Sequence, residues 1–254
     1  MSDLFSMQGK RVLITGGATG LGFSTAKVLA EHGAEVVLAA RRMNRIEEAV
    51  AKLEANGGRA SGVAMDVSDR SSMDSALAQA QSGGRIDVLI NNAGVVGEHM
   101  LLEETEEDWD RIYGTNLKAI FTLSQAVVKS MASDGQGGNV INVASILGFT
   151  TQKGTAPYAS AKAALIQLTR NMALEWARYG VRANAIAPGY FRTDMADDYL
   201  DSEVGQTMIK RAPLRRTGVP DELAGAMLLL ASDAGAYMTG SVVTVDGGLS
   251  VPQI

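Results

Sequence analysis

The sequence predicts a doubly wound α/β fold, in which helices cover both faces of a parallel sheet. Three observations carry this prediction. Short β-branched runs alternate with longer helical patterns from residue 11 onward. The strand runs are nearly continuously apolar, as expected for strands that are buried on both faces. No linker, low-complexity segment or internal repeat divides the 254 residues.

The elements of the first half follow in strict alternation. The predicted order is strand "RVLIT", helix "STAKVLAEHG", strand "AEVVLAA", helix "NRIEEAVAKLEANG", strand "ASGVAM", helix "SSMDSALAQAQ" and strand "IDVLINNAG". Gly33 and the pair Gly57 and Gly58 close the first two helices, because glycine readily adopts the left-handed conformation of a C-cap.

The second half continues with two long helices and two strands before the pattern breaks. A helix is predicted from Thr105 to Met131, with Thr105 as its N-cap and an acidic first turn. After "NVINVAS" a second helix is predicted from about residue 157 to 179, followed by the strand "VRANAIAP". Residues 189–218 then interrupt the alternation beyond a strand's carboxyl end, where a ligand lid is expected. "GSVVTV" near the C-terminus indicates a last strand.

Composition excludes several classes of function. The net charge of −5 lacks the basic footprint of a nucleic-acid-binding protein. The chain has no cysteine and two histidines, so a zinc-dependent mechanism has few ligands and no metal is predicted. The N-terminus lacks an apolar signal core, and no run approaches the roughly 20 apolar residues of a membrane span. We therefore expect a cytoplasmic protein that acts on a small molecule.

The turn after the first strand has the composition of a phosphate-binding site. "LITGGATGLGFS" places Gly16, Gly20 and Gly22 between a strand and a helix. Glycines allow the turn to close and allow backbone N–H groups to approach a pyrophosphate at the helix N-terminus. An ordinary strand-to-helix turn is the alternative, but the position of the three glycines at the first junction of a βαβ unit favours a dinucleotide site.

The end of the second strand indicates which dinucleotide is bound. A site for NAD normally has an Asp or Glu here, which holds the ribose 2′-hydroxyl. This chain instead reads Ala40, Arg41 and Arg42. Two guanidinium groups suit the dianionic 2′-phosphate of NADP, which a carboxylate would repel. The sequence therefore predicts NADP as cofactor, with NAD less favoured.

Seven motifs in order resemble those of the short-chain dehydrogenases/reductases, over essentially the whole chain. They are "TGGATGLG" at 15–22, "DV" at 66–67, "NNAG" at 91–94, "N" at 116, "NVAS" ending at 145, "YASAK" at 158–162 and "APGYFRT" at 187–193. The resemblance implies a single Rossmann-like domain over residues 1–254 with a seven-stranded parallel sheet. It also implies a catalytic tetrad of Asn116, Ser145, Tyr158 and Lys162.

The same resemblance implies the cofactor contacts. Asp66 would contact the adenine, although a turn residue ahead of the next helix is the alternative. Asn116 would support a water leading toward solvent, although a helical Asn that bonds its own backbone is the alternative. The cofactor-binding positions implied by the motifs and the arginine pair are Gly16, Thr19, Gly20, Leu21, Gly22, Arg41, Arg42, Asp66, Val67, Asn92, Ala93, Gly94, Tyr158, Lys162, Pro188, Gly189, Phe191 and Thr193.

The spacing of Tyr158 and Lys162 has a chemical consequence of its own. Residues at i and i+4 share a helix face, so the ammonium can lie close to the phenol and favour its ionised form. Lowering a phenol pKa from about 10 to about 7 requires about 4 kcal/mol. Two unit charges 4 Å apart supply about that much at an effective dielectric of about 20, and only about 1 kcal/mol in water. A cleft shielded from water is therefore predicted.

In this scheme Tyr158 exchanges a proton with the carbonyl or alcohol oxygen, and Ser145 donates a hydrogen bond to the same oxygen. Within the family, the chain looks most similar to the gluconate 5-dehydrogenase branch, which favours a keto sugar acid as substrate. A 3-oxoacyl thioester reductase is one alternative, although the basic residues that grip a carrier protein are missing from "MASDGQGG" and at Leu174. A non-catalytic dinucleotide-binding redox sensor is another.

The family resemblance implies a homotetramer whose contacts include the C-terminal strand.

The substrate pocket is predicted to be lined by both apolar and polar side chains. A solvent-facing loop position is preferred for His99. The candidate lining residues are His99, Ile146, Leu147, Phe149, Gln152, Lys153, Tyr190, Phe191 and Met195.

Overall fold

The computed structural model describes residues 4–97, 99–194 and 196–251. Its centre is a seven-stranded sheet in the order β3-β2-β1-β4-β5-β6-β7, and every neighbouring pair of strands is parallel. The strands are β1 (Arg11–Thr15), β2 (Glu35–Ala40), β3 (Arg59–Ala64), β4 (Val88–Asn91), β5 (Gly138–Val143), β6 (Val181–Pro188) and β7 (Val242–Val245). The fold class predicted from the alternating pattern is confirmed.

Helices connect the strands as the alternation predicts. They are α1 (Gly20–Glu31), α2 (Met43–Ala55), α3 (Arg70–Ser82), α4 (Glu106–Tyr113), α5 (Ala119–Asp134), α6 (Ala156–Trp176), α7 (Asp197–Asp201), α8 (Glu203–Arg211) and α9 (Asp221–Ala231). Within the described ranges no helix is long and apolar enough to cross a bilayer.

The core lies on both faces of the sheet, because successive strand side chains point in opposite directions. In β1, Val12 and Ile14 belong to one buried cluster with residues of α1 and α9. Leu13, between them, belongs to a second cluster with residues of α3 and α5. All three side chains are fully buried, which explains why residues 12–14 are all apolar.

The strand order creates a crevice at one edge of the sheet. The chain runs outward from β1 to β2 and β3, and then returns to place β4 on the other side of β1. Loops that leave the carboxyl ends of β1 and β4 therefore diverge to opposite faces. In open α/β sheets this is where ligands bind.

The first long helix differs from the prediction in one respect. Thr105 caps it as expected, since its hydroxyl accepts a hydrogen bond of 3.1 Å from the amide of Asp108. However, residues 114–118 form a π-helical segment between α4 and α5, and the helix ends at Asp134 rather than Met131. Such wide turns are rare and frequently occur at functional sites. The segment contains Asn116.

Residues 189–194 and 196–218 of the interruption are also structured. Its two ends are joined by a parallel bridge between Phe191 and Gly218, and α7 and α8 lie between them. Leu200 of α7 is fully buried, so the segment is anchored to the body of the protein. The excursion is therefore a pair of short helices on a fixed base.

Candidate active site

The glycine turn after β1 has the backbone geometry of an anion site. Gly16 and Gly20 have φ angles of +65° and +54°, which disfavour side chains. A Cβ atom on Gly22 would collide with the carbonyl of Gly16. Thr19 precedes α1 without a side-chain cap, and in the described part of the chain the amides of residues 20–22 have no hydrogen-bond acceptor. These donors at the positive end of a helix suit a phosphate.

The loop after β4 holds this turn in place. The Asn92 amide donates to the carbonyls of Thr15 and Gly16 at 3.0 and 3.1 Å. The backbone amides of Asn92 and Ala93 both donate to the Thr15 hydroxyl, at 3.0 and 3.1 Å. Asn92 thus has a supporting contact with the glycine turn that the motif alone does not reveal.

The two arginines lie at the end of β2 with exposed side chains. Neither Arg41 nor Arg42 makes a side-chain hydrogen bond or an ion pair within the described ranges. The charge of Arg41 contributes to lowering the pKa of Asp66, which places the arginine beside the carboxylate that follows β3. A guanidinium without a close anionic partner is suited to bind an external phosphate.

Asp66 has the turn geometry that the sequence analysis gave as the alternative to an adenine contact. Its carboxylate accepts hydrogen bonds from the hydroxyl and the amide of Ser68, at 2.6 and 2.9 Å, and these bonds lower its pKa. The cap of α3 is Asp69, which accepts from Ser71 and Ser72. Asp66 is therefore a turn residue near Arg41, and its contact with an adenine stays a prediction. The side chains of Leu21 and Val67 pack against the two core clusters.

Asn116 is fully buried and all its described contacts are to backbone. Its amide nitrogen donates to the carbonyls of Val95 and Ile112 at 2.8 and 3.0 Å, and its oxygen accepts from the Val95 amide at 3.2 Å. The bond to Ile112 is the local helical one that the alternative reading predicted. The bonds to Val95 tie the π-helical segment to the loop after β4.

Ser145, Tyr158 and Lys162 converge at the carboxyl end of β5. Ser145 accepts a hydrogen bond of 3.1 Å from the Leu147 amide and shares a hydrogen bond with Tyr158. The Lys162 ammonium lies 5.5 Å from the centroid of the Tyr158 ring and donates to the Val143 carbonyl at 2.8 Å. A Cβ on Gly94 would lie 3.7 Å from Nζ of Lys162, so the loop after β4 borders the same group.

Burial determines the charge state of this cluster. It raises the pKa of the Tyr158 phenol, and the hydrogen bond with Ser145 opposes that rise. It lowers the pKa of Lys162 to about 8. The shielded cleft predicted from the spacing is present, but the pKa of Tyr158 is raised and not lowered as predicted, because the cost of desolvation exceeds the effect of the hydrogen bond with Ser145. The phenol therefore keeps its proton in this state of the protein.

The loop after β6 closes the cleft from the other side. Pro188 ends β6 and is buried, and the amide of Gly189 donates to Val245 of β7 at 2.9 Å. A Cβ on Gly20 would lie 3.3 Å from the methyl group of Thr193, so this loop meets the glycine turn. The Phe191 ring is only 5% exposed and packs in the core, which leaves its backbone for any contact with a ligand.

The predicted substrate pocket is brought together only in part. Tyr190 donates a hydrogen bond to the side-chain oxygen of Gln152, and its ring stacks on Tyr199 of α7. His99 is exposed as preferred, and its ring nitrogen lies 3.3 Å from the Asp108 carboxylate. Phe149 and Lys153 are exposed, Leu147 is intermediate and Ile146 is buried. Met195 lies outside the described residues.

Two residues of this region were missed by the sequence analysis. Tyr199 was not singled out, although an aromatic residue within the predicted lid was a signal. Arg192 lies within the "APGYFRT" motif, and its guanidinium pairs with Asp201 at 2.7 Å and Asp197 at 3.5 Å. It thereby fastens α7 to the loop after β6.

The arrangement suits a dinucleotide. The open helix N-terminus accommodates a pyrophosphate, Arg41 lies at the adenosine side, and Ser145, Tyr158 and Lys162 lie at the far end beside the substrate loop. Proton exchange between the Tyr158 phenol and a carbonyl oxygen is the chemistry that the far end allows.

Comparisons with known proteins agree with this geometry. A family model described as enoyl-(acyl carrier protein) reductase matches residues 16–250. Gluconate 5-dehydrogenase of Gluconobacter oxydans is 40% identical over 251 residues, which are 98% of each chain. A 3-oxoacyl-(acyl carrier protein) reductase of Thermotoga maritima is 37% identical over 246 residues, 96% of this chain and 99% of the relative. The crystal structure of a gluconate 5-dehydrogenase from Burkholderia cenocepacia in complex with NADP and tartrate matches with a TM-score of 0.94 at 35% identity, covering 99% of both chains.

Proposed function

Since the chain belongs to the short-chain dehydrogenase/reductase family, we propose that it interconverts a ketone and a secondary alcohol with NADP(H), with Tyr158 as general acid and base. The observation that carries this proposal is the hydrogen bond between Tyr158 and Ser145 beside the buried ammonium of Lys162. A non-catalytic redox sensor would need none of these three groups.

The residues for the cofactor fit NADP. The amides at the start of α1 would hold the pyrophosphate, and Arg41 and Arg42 would hold the 2′-phosphate. Lys162 would donate to the ribose next to the nicotinamide. When bound, the cofactor supplies or accepts the hydride. The B. cenocepacia relative was solved with NADP, which supports the choice over NAD.

The chain's own groups then manage the proton and the developing charge. In the reducing direction the Tyr158 phenol gives its proton to the carbonyl oxygen, and Ser145 donates a hydrogen bond to that oxygen as charge develops on it. In the oxidising direction Tyr158 takes the proton back, which requires a phenolate. The positive charge of Lys162 favours that phenolate. Asn116 acts as a positioning residue, because it fixes the loop at Val95 that borders the cleft.

We favour a keto sugar acid as substrate. The G. oxydans relative is a gluconate 5-dehydrogenase, and the B. cenocepacia relative was solved with tartrate, which is a hydroxylated acid. A reductase of carrier-bound acyl chains needs basic surface residues against its acidic partner, whereas Leu174 at one such position is an apolar side chain that is 81% exposed. This observation argues against a carrier-bound acyl chain as the substrate.

The test is to mix the protein with NADPH and 5-keto-D-gluconate, the C5 ketone of gluconate, and to follow the absorbance of the reduced nicotinamide. We expect oxidation of NADPH, and reduction of NADP when D-gluconate is supplied instead. Acetoacetyl thioester in a parallel assay tests the alternative substrate. Tight binding of NADPH without turnover of any ketone in a broad panel would refute the proposed reaction and favour the sensor.

We also propose that the chain forms a homotetramer. Two features support an assembly: a groove between α4, α5 and α6 exposes Trp109 and Phe121, and β7 is a partly exposed edge strand. Edge strands and apolar faces of this kind are usually covered by a partner. Light scattering on the purified protein tests this, and a monomer at micromolar concentration would refute it.

A further inference from the structure

Tyr190 and Gln152 form a polar bridge across the substrate side of the cleft. Tyr190 follows β6, Gln152 follows β5, and the Tyr190 hydroxyl donates to the side-chain oxygen of Gln152. The two residues are 38 positions apart in the chain, so the contact is a product of the fold. We call this pair the Tyr190–Gln152 clasp.

Both ends of the clasp are held by the surrounding structure. The Tyr190 carbonyl accepts a hydrogen bond of 2.9 Å from Gly218, and its ring stacks on Tyr199 with a centroid distance of 5.7 Å. The Gln152 carbonyl accepts a hydrogen bond of 3.0 Å from the Thr155 hydroxyl, just before α6. Because α6 carries Tyr158, the clasp has a fixed relation to the reacting phenol.

The clasp faces the same space as Tyr158. Burial is the main cause that raises the pKa of Tyr190, and the nearby phenols of Tyr199 and Tyr158 contribute to the rise. The Tyr190 hydroxyl therefore keeps its proton at neutral pH. A hydroxyl group beside the carbonyl that Tyr158 would protonate is therefore the substrate group we assign to the Tyr190 hydroxyl.

The clasp has unused hydrogen-bonding capacity of both kinds. The Tyr190 hydroxyl also shares a hydrogen bond with Tyr199, but its oxygen has two lone pairs and keeps acceptor capacity, and the Gln152 amide nitrogen carries two N–H donors. Within the described ranges that nitrogen has no hydrogen-bond acceptor. The pair carries no formal charge, so it suits a neutral group that both donates and accepts, and an aliphatic hydroxyl is such a group.

We propose that the Tyr190–Gln152 clasp is a specificity element that recognises a hydroxyl group on the carbon next to the reacting carbonyl. This inference rests on the proposed function and narrows its substrate class to α-hydroxy ketones, of which the keto sugar acids are members. A ketone without that hydroxyl leaves the clasp closed on itself and gains no contact. Sites that bond a substrate hydroxyl discriminate by this difference.

The experiment compares two keto acids of the same length. 5-Keto-D-gluconate carries hydroxyls on both carbons that flank its ketone, whereas 5-oxohexanoate carries none and has the same carboxylate. The measured quantity is the ratio of kcat/KM for the first to that for the second, in the wild type, Tyr190→Phe and Gln152→Met. Tyr237→Phe is the matched control, because Tyr237 is fully exposed.

We expect a wild-type ratio well above one and a fall of about tenfold in each clasp variant, consistent with the loss of one substrate hydrogen bond. The fall should reside in KM for 5-keto-D-gluconate, and the control should keep the wild-type ratio. If the clasp has a purely structural role, its variants should lose kcat/KM for both keto acids together and keep the wild-type ratio. That result would overturn the clasp proposal and leave the proposed function standing. A wild type that reduces neither compound would refute the proposed substrate class itself.

Discussion

The two walls of the cleft differ in how they are built. The catalytic wall consists of Asn116, Ser145, Tyr158 and Lys162, three of which are at most 7% exposed. The proposed substrate wall consists of residues 189–194 and 196–218, where Arg192 fastens α7 through ion pairs whose side chains are 39 to 64% exposed. One wall lies in the core of the protein, whereas the other is anchored by a few buried side chains and fastened by exposed ion pairs.

We expect this difference in burial to separate the residues that carry out the reaction from the residues that select the substrate. Groups that move a proton need a shielded place, because only there does a neighbouring charge or hydrogen bond act strongly. Groups that select a substrate must contact each molecule that enters the cleft, and segments with exposed contacts open at low free-energy cost. We therefore expect changes in the catalytic wall to affect kcat and stability strongly, and changes in the substrate wall to affect KM moderately.

The largest effect is expected for Tyr158→Phe. Removing the proton donor should lower kcat by about 10³-fold, since general acid–base catalysis contributes about 10²–10⁴-fold. The Kd for NADPH, measured by fluorescence titration, should change little because the ring remains. Tyr179→Phe, just beyond the far end of the same helix, is the control. Activity within tenfold of the wild type would remove Tyr158 from the proposed role.

The second effect concerns the stability cost of Lys162. Burial lowers its pKa from 10.5 to about 8, a difference that corresponds to about 3 kcal/mol. Lys162→Met removes this cost and loses one hydrogen bond to Val143, worth about 1 kcal/mol. The inactive variant should therefore be about 1–3 kcal/mol more stable than the wild type at pH 7, as measured by urea unfolding.

The pH dependence of the free energy of unfolding is an independent test of the cost of burying Lys162. Between about pH 8 and pH 10.5 the folded wild type binds fewer protons at Lys162 than the unfolded chain, so its stability rises with pH. The advantage of Lys162→Met should be complete below pH 8 and disappear by about pH 10.5. Lys10→Met, at an exposed position, should show no such trend. An advantage independent of pH would contradict the electrostatic explanation.

Much of the fold was predictable from the sequence, and so was the grouping of Ser145, Tyr158 and Lys162 in one place. Strand runs such as residues 11–15 and 181–188 match the structure because burial on both faces favours mainly apolar residues, with polar exceptions such as Arg182 and Asn184. The π-helical segment around Asn116 was not predictable, since it depends on bonds to Val95, 21 residues away. The direction of the Tyr158 pKa was also missed, because it depends on how completely packing excludes water. The clasp joins residues that no local pattern relates.

A third effect is expected at the adenosine end of the proposed cofactor site. Arg41→Gln should weaken NADPH binding by about 10- to 100-fold, because a charged hydrogen bond contributes about 1.5–3 kcal/mol. NADH binding should be unaffected, since it lacks the 2′-phosphate. Arg45→Gln on the exposed face of α2 is the control. An equal loss for both nucleotides would show that Arg41 does not read the phosphate.

The smallest effect is expected on the substrate wall, for Arg192→Gln. Its ion pairs with Asp197 and Asp201 are exposed, and exposed pairs contribute little and are screened by salt. Loosening α7 should raise KM for 5-keto-D-gluconate by about two- to threefold, with kcat nearly unchanged. The wild type should approach the variant as sodium chloride increases, because salt screens the same pairs. A large loss of kcat instead would mean that the substrate wall takes part in the reaction step, and the separation between the two walls would fail.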